Sequence, residues 1–223
     1  MNRFVNVLML FLFFPAMLLV ILIAFDLPLA FLGTSGSQLA YKVELLGGFA
    51  ALLFFVHLRR SIQRWMGMNL VSQAGKFLWI QEVSPARMRR VVVYNLLETG
   101  IFGVVAIGLY LVTPFAWPLS LCFGIVAVDS LVFLLLGKSK HFFRAGITKN
   151  AVVVADRDVT VAYFSGLRRV HRHQESLFFE YIKGVQLFFP LDCLQKQHEE
   201  DFYRILQDQV DPEKVFITQR RQD

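Results

Sequence analysis

Apolar residues are distributed unevenly along this chain. Four long apolar stretches occupy the first ~140 residues, and the rest of the chain is charged and alternates between apolar and polar positions as strands do. The stretches cover residues 4–32, 39–58, 91–112 and 119–136. A transmembrane helix needs about 20 apolar residues, which each stretch approaches or exceeds. The pattern predicts a four-helix transmembrane domain in residues 1–140 and a cytoplasmic domain in residues 141–223.

A secretory signal peptide is the alternative interpretation of the first stretch. It is longer than the apolar core of a signal, only Arg3 precedes it, and no small-residue cleavage motif clearly follows it. We therefore expect a retained helix. Pro15 lies inside it and is expected to kink it, which neighbouring helices can tolerate.

Charge predicts the orientation of the helices. The composition is 56% hydrophobic, above that of an ordinary soluble domain, and the formal net charge is +6. The connection between the second and third stretches is rich in cations against one acid, Glu82, and further cations follow the fourth stretch. The positive-inside rule then places both termini of an inner-membrane protein in the cytoplasm. The candidate contacts to anionic lipid are Arg59, Arg60, Arg64, Arg89, Arg90, Lys138, Lys140 and Arg144.

The basic connection between the second and third stretches has two interpretations. Apolar side chains such as Trp65, Phe77 and Trp79 interleave with its cations, which fits helix ends that run past the bilayer and lie along its surface. An ordinary basic loop fits equally well. The cations of these flanks account for the basic character of the chain, so nucleic-acid binding is not expected.

The tail has the pattern of an α+β domain. Five short segments, 151–155, 159–164, 167–173, 177–182 and 185–189, have strand composition and are separated by turn residues. A helix follows, in which Phe202, Ile205, Leu206 and Val210 recur at helical spacing. Asp192 and Gln195 have the spacing of a capping box ahead of that helix. The pattern predicts an antiparallel sheet of about five strands and one C-terminal helix.

Several runs of the tail resemble bacterial membrane-anchored pleckstrin-homology-like (PH-like) domains. They are Gly146-Ile-Thr-Lys-Asn150 before an apolar strand, and the runs 177–182 and 187–190 before a helix. The resemblance covers about a third of the chain. It implies a strongly bent antiparallel sheet closed by a C-terminal helix, which serves binding or assembly and is generally not enzymatic. The tail alone supplies fewer strands than the seven of the full family fold.

Two acids lie inside apolar stretches, Glu98 in the third and Asp129 in the fourth. Ionisable groups inside a membrane are costly and often functional, so one interpretation is a proton or cation site. The structural interpretation is that Glu98 pairs with Arg89 or Arg90 and that Asp129 bonds to a neighbouring helix or a partner. The structural interpretation is favoured, because few other polar residues lie in these stretches.

The tail also carries a basic cluster. Its candidate interaction surface consists of Lys149, Arg168, Arg169 and Arg172. His171 and His173 face one side of a strand, but no third ligand is evident and arginines surround them, so no metal site is predicted. No phosphate-binding glycine loop or nucleophile elbow is found, so no catalytic residue and no cofactor are predicted.

These patterns predict a non-enzymatic integral membrane scaffold or accessory subunit. Its tail would bind a protein partner, associate with a second copy or contact the membrane surface, and its helices would lie in the lipid bilayer. The alternative is a small ion-coupled transporter or channel-like subunit that uses Glu98 and Asp129. A membrane enzyme that acts on lipid is a third hypothesis, supported only by the basic connection.

Overall fold

Four long apolar helices dominate the first part of the chain. The structure is a computed structural model, and it describes residues 2–29, 33–182, 184–210 and 215–218. The helices are α1 (Asn2–Ala24), α2 (Lys42–Ser72), α3 (Pro85–Val112) and α4 (Trp117–Ser139). Each is long and apolar enough to cross a membrane. The four predicted apolar helices are therefore confirmed, and they indicate a membrane protein.

Two of these helices extend well beyond their apolar stretches. α2 continues to Ser72 and α3 begins at Pro85, so both reach into the basic connection. The start of α3 has a local cause. The hydroxyl of Ser84 accepts a hydrogen bond of 3.1 Å from the backbone N–H of Arg87, and proline follows at the first helical position.

Contacts divide the chain into two compact units. The first unit comprises residues 1–62 and 95–133, and the second comprises residues 63–94 and 134–223. The sequence division assigned all of residues 63–94 to the membrane part, whereas in the structure this segment belongs to the second unit. α2, α3 and α4 therefore contribute residues to both units.

The first unit has apolar side chains both in its core and on its surface. The ring of Phe123 contacts Phe13 edge-on, at 5.9 Å between centroids, and stacks on Phe102 at 5.8 Å. On the opposite faces of the helices, Phe11 is 74% exposed and Leu111 is 76% exposed. Exposed apolar surface of this extent suits lipid rather than water.

A short hairpin joins α1 to α2 in the first unit. It consists of β1 (Pro28–Leu29) and β2 (Thr34–Ser35), which pair antiparallel. The carboxylate of Asp26 accepts a hydrogen bond of 2.9 Å from the backbone N–H of Ser37. The polar side chains of Ser35 and Ser37 beside the carboxylate, together with the Ser37 N–H, lower the pKa of Asp26 to about 2.

The second unit contains two four-stranded sheets and a helix. The first sheet has the order β3 (Phe77–Glu82), β4 (Arg144–Thr148), β5 (Ala151–Ala155) and β6 (Val159–Tyr163), all antiparallel. In the second sheet β7 (Leu167–His173), β8 (Ser176–Tyr181) and β9 (Gln186–Pro190) are antiparallel neighbours, and β10 (Phe216–Thr218) lies parallel to β7. The helix is α5 (Glu199–Gln209).

The predicted tail strands correspond to β5–β9, but neither interpretation of the basic connection included a strand. That connection forms β3, which pairs with β4 so that Ile80 lies opposite Gly146. A side chain at Gly146 would place its Cβ 2.6 Å from Cδ1 of Phe77 and 2.8 Å from the carbonyl oxygen of Trp79. The pairing therefore requires glycine at this position of β4.

An aromatic cluster holds α5 against both sheets. Phe202 of α5 is fully buried, stacks on Phe189 of β9 at 5.1 Å, and contacts Trp79 of β3 edge-on at 5.4 Å. Leu206, one helical turn further along α5, is also fully buried. The same helix face therefore packs on a strand of the tail and on the strand from the basic connection.

Ion pairs attach the start of α3 to the tail within the second unit. The guanidinium of Arg87 lies 2.7 Å from the carboxylate of Asp156 and 3.4 Å from that of Asp192, and Arg90 lies 2.7 Å from Asp192. The backbone N–H of Ser84 donates to the carbonyl oxygen of Cys193 at 2.9 Å. Residues from three parts of the chain therefore meet at this point.

The predicted capping box is wrong. α5 begins at Glu199, well after Asp192, and the residue before it, His198, makes no side-chain capping bond. The carboxylate of Asp192 instead accepts hydrogen bonds from Arg87 and Arg90. Two cations outcompete a backbone N–H for the same carboxylate, because charge-assisted hydrogen bonds are the stronger ones.

We predict that Phe202→Ala unfolds the second unit more readily. Deleting a buried aromatic ring typically costs about 3–5 kcal/mol. Cys193 is fully buried and burial raises the pKa of its thiol, so alkylation of Cys193 in a Cys122→Ala background reports opening of the unit. Phe202→Ala should accelerate this alkylation strongly. The exposed control Arg169→Ala should not, and equal alkylation rates in the two variants would show that α5 is not packed as described.

Candidate functional site

Polar side chains of α2 form one wall of a buried network in the first unit. His57 and Ser61 are one helical turn apart and therefore project from the same face of the helix, and Arg60 lies between them in sequence. His57 is 3% exposed and Ser61 is 8% exposed. Burial of His57 and Ser61 on a helix that is apolar enough to span a membrane requires partners on the neighbouring helices.

Asp129 of α4 is the partner of His57 and Ser61. Nε2 of His57 lies 3.4 Å from Oδ2 of Asp129, and the hydroxyl of Ser61 donates a hydrogen bond of 2.9 Å to Oδ1. The carboxylate thus receives one contact at each oxygen. The side chain of Asp129 is 20% exposed, whereas that of His57 is 3% exposed.

Glu98 of α3 forms a bidentate ion pair with Arg60. Nη1 and Nη2 of Arg60 donate to the two carboxylate oxygens of Glu98 at 2.7 Å and 3.2 Å. The hydroxyl of Ser130 donates a third hydrogen bond of 3.3 Å to Oε1. The side chain of Glu98 is 6% exposed. A paired geometry of this kind gives a buried carboxylate both a counter-charge and hydrogen bonds.

The described contacts of the two carboxylates involve different partners. Arg60 and Ser130 bond Glu98, while His57 and Ser61 bond Asp129. The sequence expected Glu98 to pair with Arg89 or Arg90. In the structure Arg60 of α2 takes this role, because it lies opposite Glu98 of α3.

The network joins three helices. α2 supplies the cation and the imidazole, α3 supplies Glu98, and α4 supplies Asp129 and Ser130 at consecutive positions. Consecutive residues on a helix point about 100° apart, so one side chain faces α2 and the next faces α3. The chemistry available here is proton exchange between His57 and Asp129, or purely structural pairing.

The other candidate lipid contacts differ in exposure. Arg64 is buried, at 1% exposed, and Arg144 is half-buried in β4. The remaining candidates, Arg59, Arg89, Arg90, Lys138 and Lys140, are exposed. Arg90 is also bound to Asp192, so its charge is partly neutralised within the protein.

The four basic residues of the tail cluster differ in position and in partners. Lys149 lies exposed in the turn between β4 and β5, while Arg168 and Arg169 are exposed on β7. Arg172 is bound to Glu199 of α5, 2.7 Å away. The ion pair of Arg172 therefore joins α5 to β7, and this charge is paired within the protein.

The two tail histidines pack on an aromatic ring. His171 stacks on Phe178 with 5.2 Å between ring centroids, and His173 contacts the same ring edge-on at 5.9 Å. Within the described residues, no group of three or more His, Cys, Asp or Glu side chains is placed to hold a metal ion.

Compared with known protein families, curated proteins and solved structures, the chain shows no match. The site must therefore be interpreted from its own geometry.

Sequence reasoning identified the two acids but not their partners. Arg60 was assigned to lipid headgroups, and His57 and Ser61 were not singled out. One signal was available: a histidine inside an apolar stretch, with serine four residues later, indicates a polar helix face.

We predict that either single substitution of the Arg60–Glu98 pair destabilises the first unit. Glu98→Gln leaves a largely buried guanidinium without its counter-charge, and Arg60→Gln does the same to the carboxylate. Breaking such a pair typically costs about 3–5 kcal/mol.

The combined variant Arg60→Met with Glu98→Gln should recover most of that stability, because no uncompensated charge remains. Ser130→Ala is the matched control and should cost only about 1 kcal/mol. Thermal unfolding of the full chain in lipid nanodiscs, followed by size-exclusion chromatography, measures each effect. If the stability losses of the two single variants simply add in the combined variant, the pair is not coupled.

Proposed function

We propose that this protein is a non-enzymatic integral membrane scaffold or accessory subunit. In this proposal the second unit binds a protein partner, and the apolar helices anchor that unit at a bacterial inner membrane. The observation that carries the proposal is the bidentate Arg60–Glu98 pair, in which a buried carboxylate and a guanidinium neutralise each other. A charge held in this way stabilises helix packing and is a poor carrier of ions.

The architecture of the second unit supports a binding role. A four-stranded antiparallel sheet is followed by three further antiparallel strands, and a helix then packs on both through Phe202. This order agrees with the PH-like resemblance of the tail, and β3 supplies a strand that the tail alone lacks. We propose a PH-like domain that serves assembly, with the protein partner bound at its surface and with self-association as a further mode.

The cation distribution supports an orientation with both termini in the cytoplasm. Exposed cations flank the cytoplasmic ends in this proposal, among them Arg59, Arg89, Lys138 and Lys140. In this proposal these side chains contact anionic headgroups. The connection from 113 to 116 carries none, and in the connection from 33 to 41 no cation precedes Lys42.

Single-cysteine labelling tests this orientation in a variant that lacks Cys122 and Cys193. Gln38 and Phe115 are exposed in the two connections proposed to face outward, and Asn150 is exposed in the turn after β4. An impermeant maleimide added to intact cells should label cysteines at positions 38 and 115 but not at 150. The reverse pattern would contradict the orientation.

The ion-coupled subunit remains the second candidate function, because one observation favours it. His57 and Asp129 form a titratable pair, and Asp129 is only partly buried on an apolar helix. Such a pair can exchange a proton between imidazole and carboxylate. Nδ1 of His57 is buried and makes no hydrogen bond among the described residues, so the ring has one nitrogen not committed to the network.

Asp129→Asn separates the two functions. The amide keeps an acceptor for Ser61 and a similar volume, so a scaffold should still insert, retain its stoichiometric partner in mild detergent and rescue the phenotype of a deletion strain. An ion-coupled subunit should assemble normally yet fail to rescue. The latter result, together with the same result for His57→Gln, would contradict the scaffold and favour the ion-coupled function.

A further inference from the structure

We propose that a groove between α3 and α4 binds one transmembrane helix of a partner protein, and that this helix carries a basic side chain near the middle of its span. The inference goes beyond the proposed function, because the contact is made by apolar helices of the first unit and not by the surface of the second unit. It commits to a helix of a different protein, rather than to lipid chains or to a second copy of this chain.

The groove lies entirely within the first unit. Its volume is about 760 Å³, and all the residues that line it belong to that unit. Side chains along it are open to the surroundings, since Tyr110 is 60% exposed and Val128 is 61% exposed. A groove of this size receives several side chains of a second helix. Its lining includes Ile107, Tyr110 and Leu111 of α3 and Ser120, Gly124 and Asp129 of α4.

A hydrogen bond between the two helices fixes the groove. The hydroxyl of Ser120 donates to the carbonyl oxygen of Ala106 at 2.7 Å, which joins α4 directly to α3. Both residues belong to the lining of the groove. The two walls are therefore held together before a partner binds, which lowers the entropy lost on binding.

Gly124 leaves room in the groove for the backbone of a second helix. A Cβ atom at this position would have no atom of the described residues within 4 Å. Glycine inside a helix is less stabilising than alanine, and the described packing of this chain does not require glycine here. Small residues on a membrane helix let a partner backbone approach closely, so a helix packed on Gly124 accounts for its presence.

Asp129 gives the groove its chemical preference. It lies on the lining near the middle of α4, and its side chain is 20% exposed. A carboxylate can accept about four hydrogen bonds, so a further donor can bind it in addition to His57 and Ser61. Exposure of a carboxylate to hydrocarbon is costly, because lipid chains have no donor to offer. A basic side chain of a partner helix supplies both a donor and the opposite charge.

The charge of Asp129 also argues against the two other occupants. Lipid chains would cover the apolar residues of the groove but would offer no counter-charge to the carboxylate. A second copy packed through the same groove would bring two Asp129 side chains together, and like charges repel strongly where the dielectric constant is low. A basic residue inside a membrane helix has the complementary requirement, since such residues pair with acids. Asp129 lies about 18 Å along α4 from its start at Trp117, so the basic side chain must lie at a similar depth in the partner.

Methyl resonances in the groove test this binding. The full chain in lipid nanodiscs carries ¹³C-labelled isoleucine methyl groups, and valine variants assign Ile107 and Ile125 of the groove and Ile21 of α1. The probe is a synthetic peptide of about 20 alternating leucine and alanine residues with one central lysine, and the reference peptide has leucine at that position. The lysine peptide should shift Ile107 and Ile125 saturably and leave Ile21 unchanged. It should bind about tenfold more tightly than the reference peptide.

Three variants locate the binding site. Gly124→Leu fills the groove and should abolish binding of the lysine peptide, whereas Gly48→Leu, at an equally open glycine of α2, should leave it unchanged. Asp129→Asn keeps an acceptor for Ser61 and a similar volume, and it should remove most of the preference for the lysine peptide. Thermal unfolding in the same nanodiscs checks that each variant is folded.

Equal binding of the two peptides to the unmodified protein, or no shift with either, would overturn the proposal. Binding of the lysine peptide that Gly124→Leu leaves intact would overturn it too. Shifts of Ile107 and Ile125 that appear without peptide as the number of chains per nanodisc rises would show a second copy in the groove, which also contradicts the proposal. These failures leave the proposed function in place, because partner retention by the full chain tests that function without either peptide. If no partner co-purifies while the lysine peptide binds as expected, the proposed function fails and the groove proposal stands.

Discussion

The pairing of β3 with β4 is the constraint on which the second unit depends. β3 comes from the connection between α2 and α3, whereas β4 follows α4, so the first sheet closes only when distant parts of the chain meet. Trp79 of β3 then contacts Phe202, which also stacks on Phe189. Without β3 the first sheet would expose β4 as an unpaired edge and α5 would lose one of its two aromatic contacts. The fold of this unit is therefore held by residues that lie between two apolar helices.

Arginine–carboxylate ion pairs occur in both units, although their surroundings differ. In the second unit Arg87 joins Asp156 and Asp192 at the start of α3, and in the first unit Arg60 holds Glu98. The buried carboxylates of Glu98 and Asp156 each have an arginine within hydrogen-bonding distance, which offsets the cost of removing them from water. Several cations that sequence alone assigned to lipid or to a basic surface, such as Arg60, Arg90 and Arg172, thus pair with carboxylates of the protein.

The sequence predicts those helices and strands whose pattern lies within a short window of residues. Length and hydropathy defined the four helices, and alternation defined β5–β9, because both patterns are properties of short windows. β3 was missed because Phe77-Leu-Trp-Ile-Gln-Glu82 lies among cations and its pairing partner is more than sixty residues away. Asp192 was misread for the same reason, since Arg87 and Arg90 are distant in sequence.

The candidate site shows the same limit. Glu98 and Asp129 stood out as acids among apolar residues, but the rotation of each helix about its axis decides which side chain faces them. That rotation placed Arg60 on Glu98 and His57 on Asp129. No window of the sequence carries that information.

Hydrogen exchange of the full chain in nanodiscs tests most directly whether β3 is part of one cooperative second unit. Amides of β3, β4 and β9 should show similar protection and should exchange together when mild denaturant is added, because they share one core. Exchange of β3 amides orders of magnitude faster than those of β4 would contradict this account. The tail would then be a separate domain joined to the helices by a flexible connection.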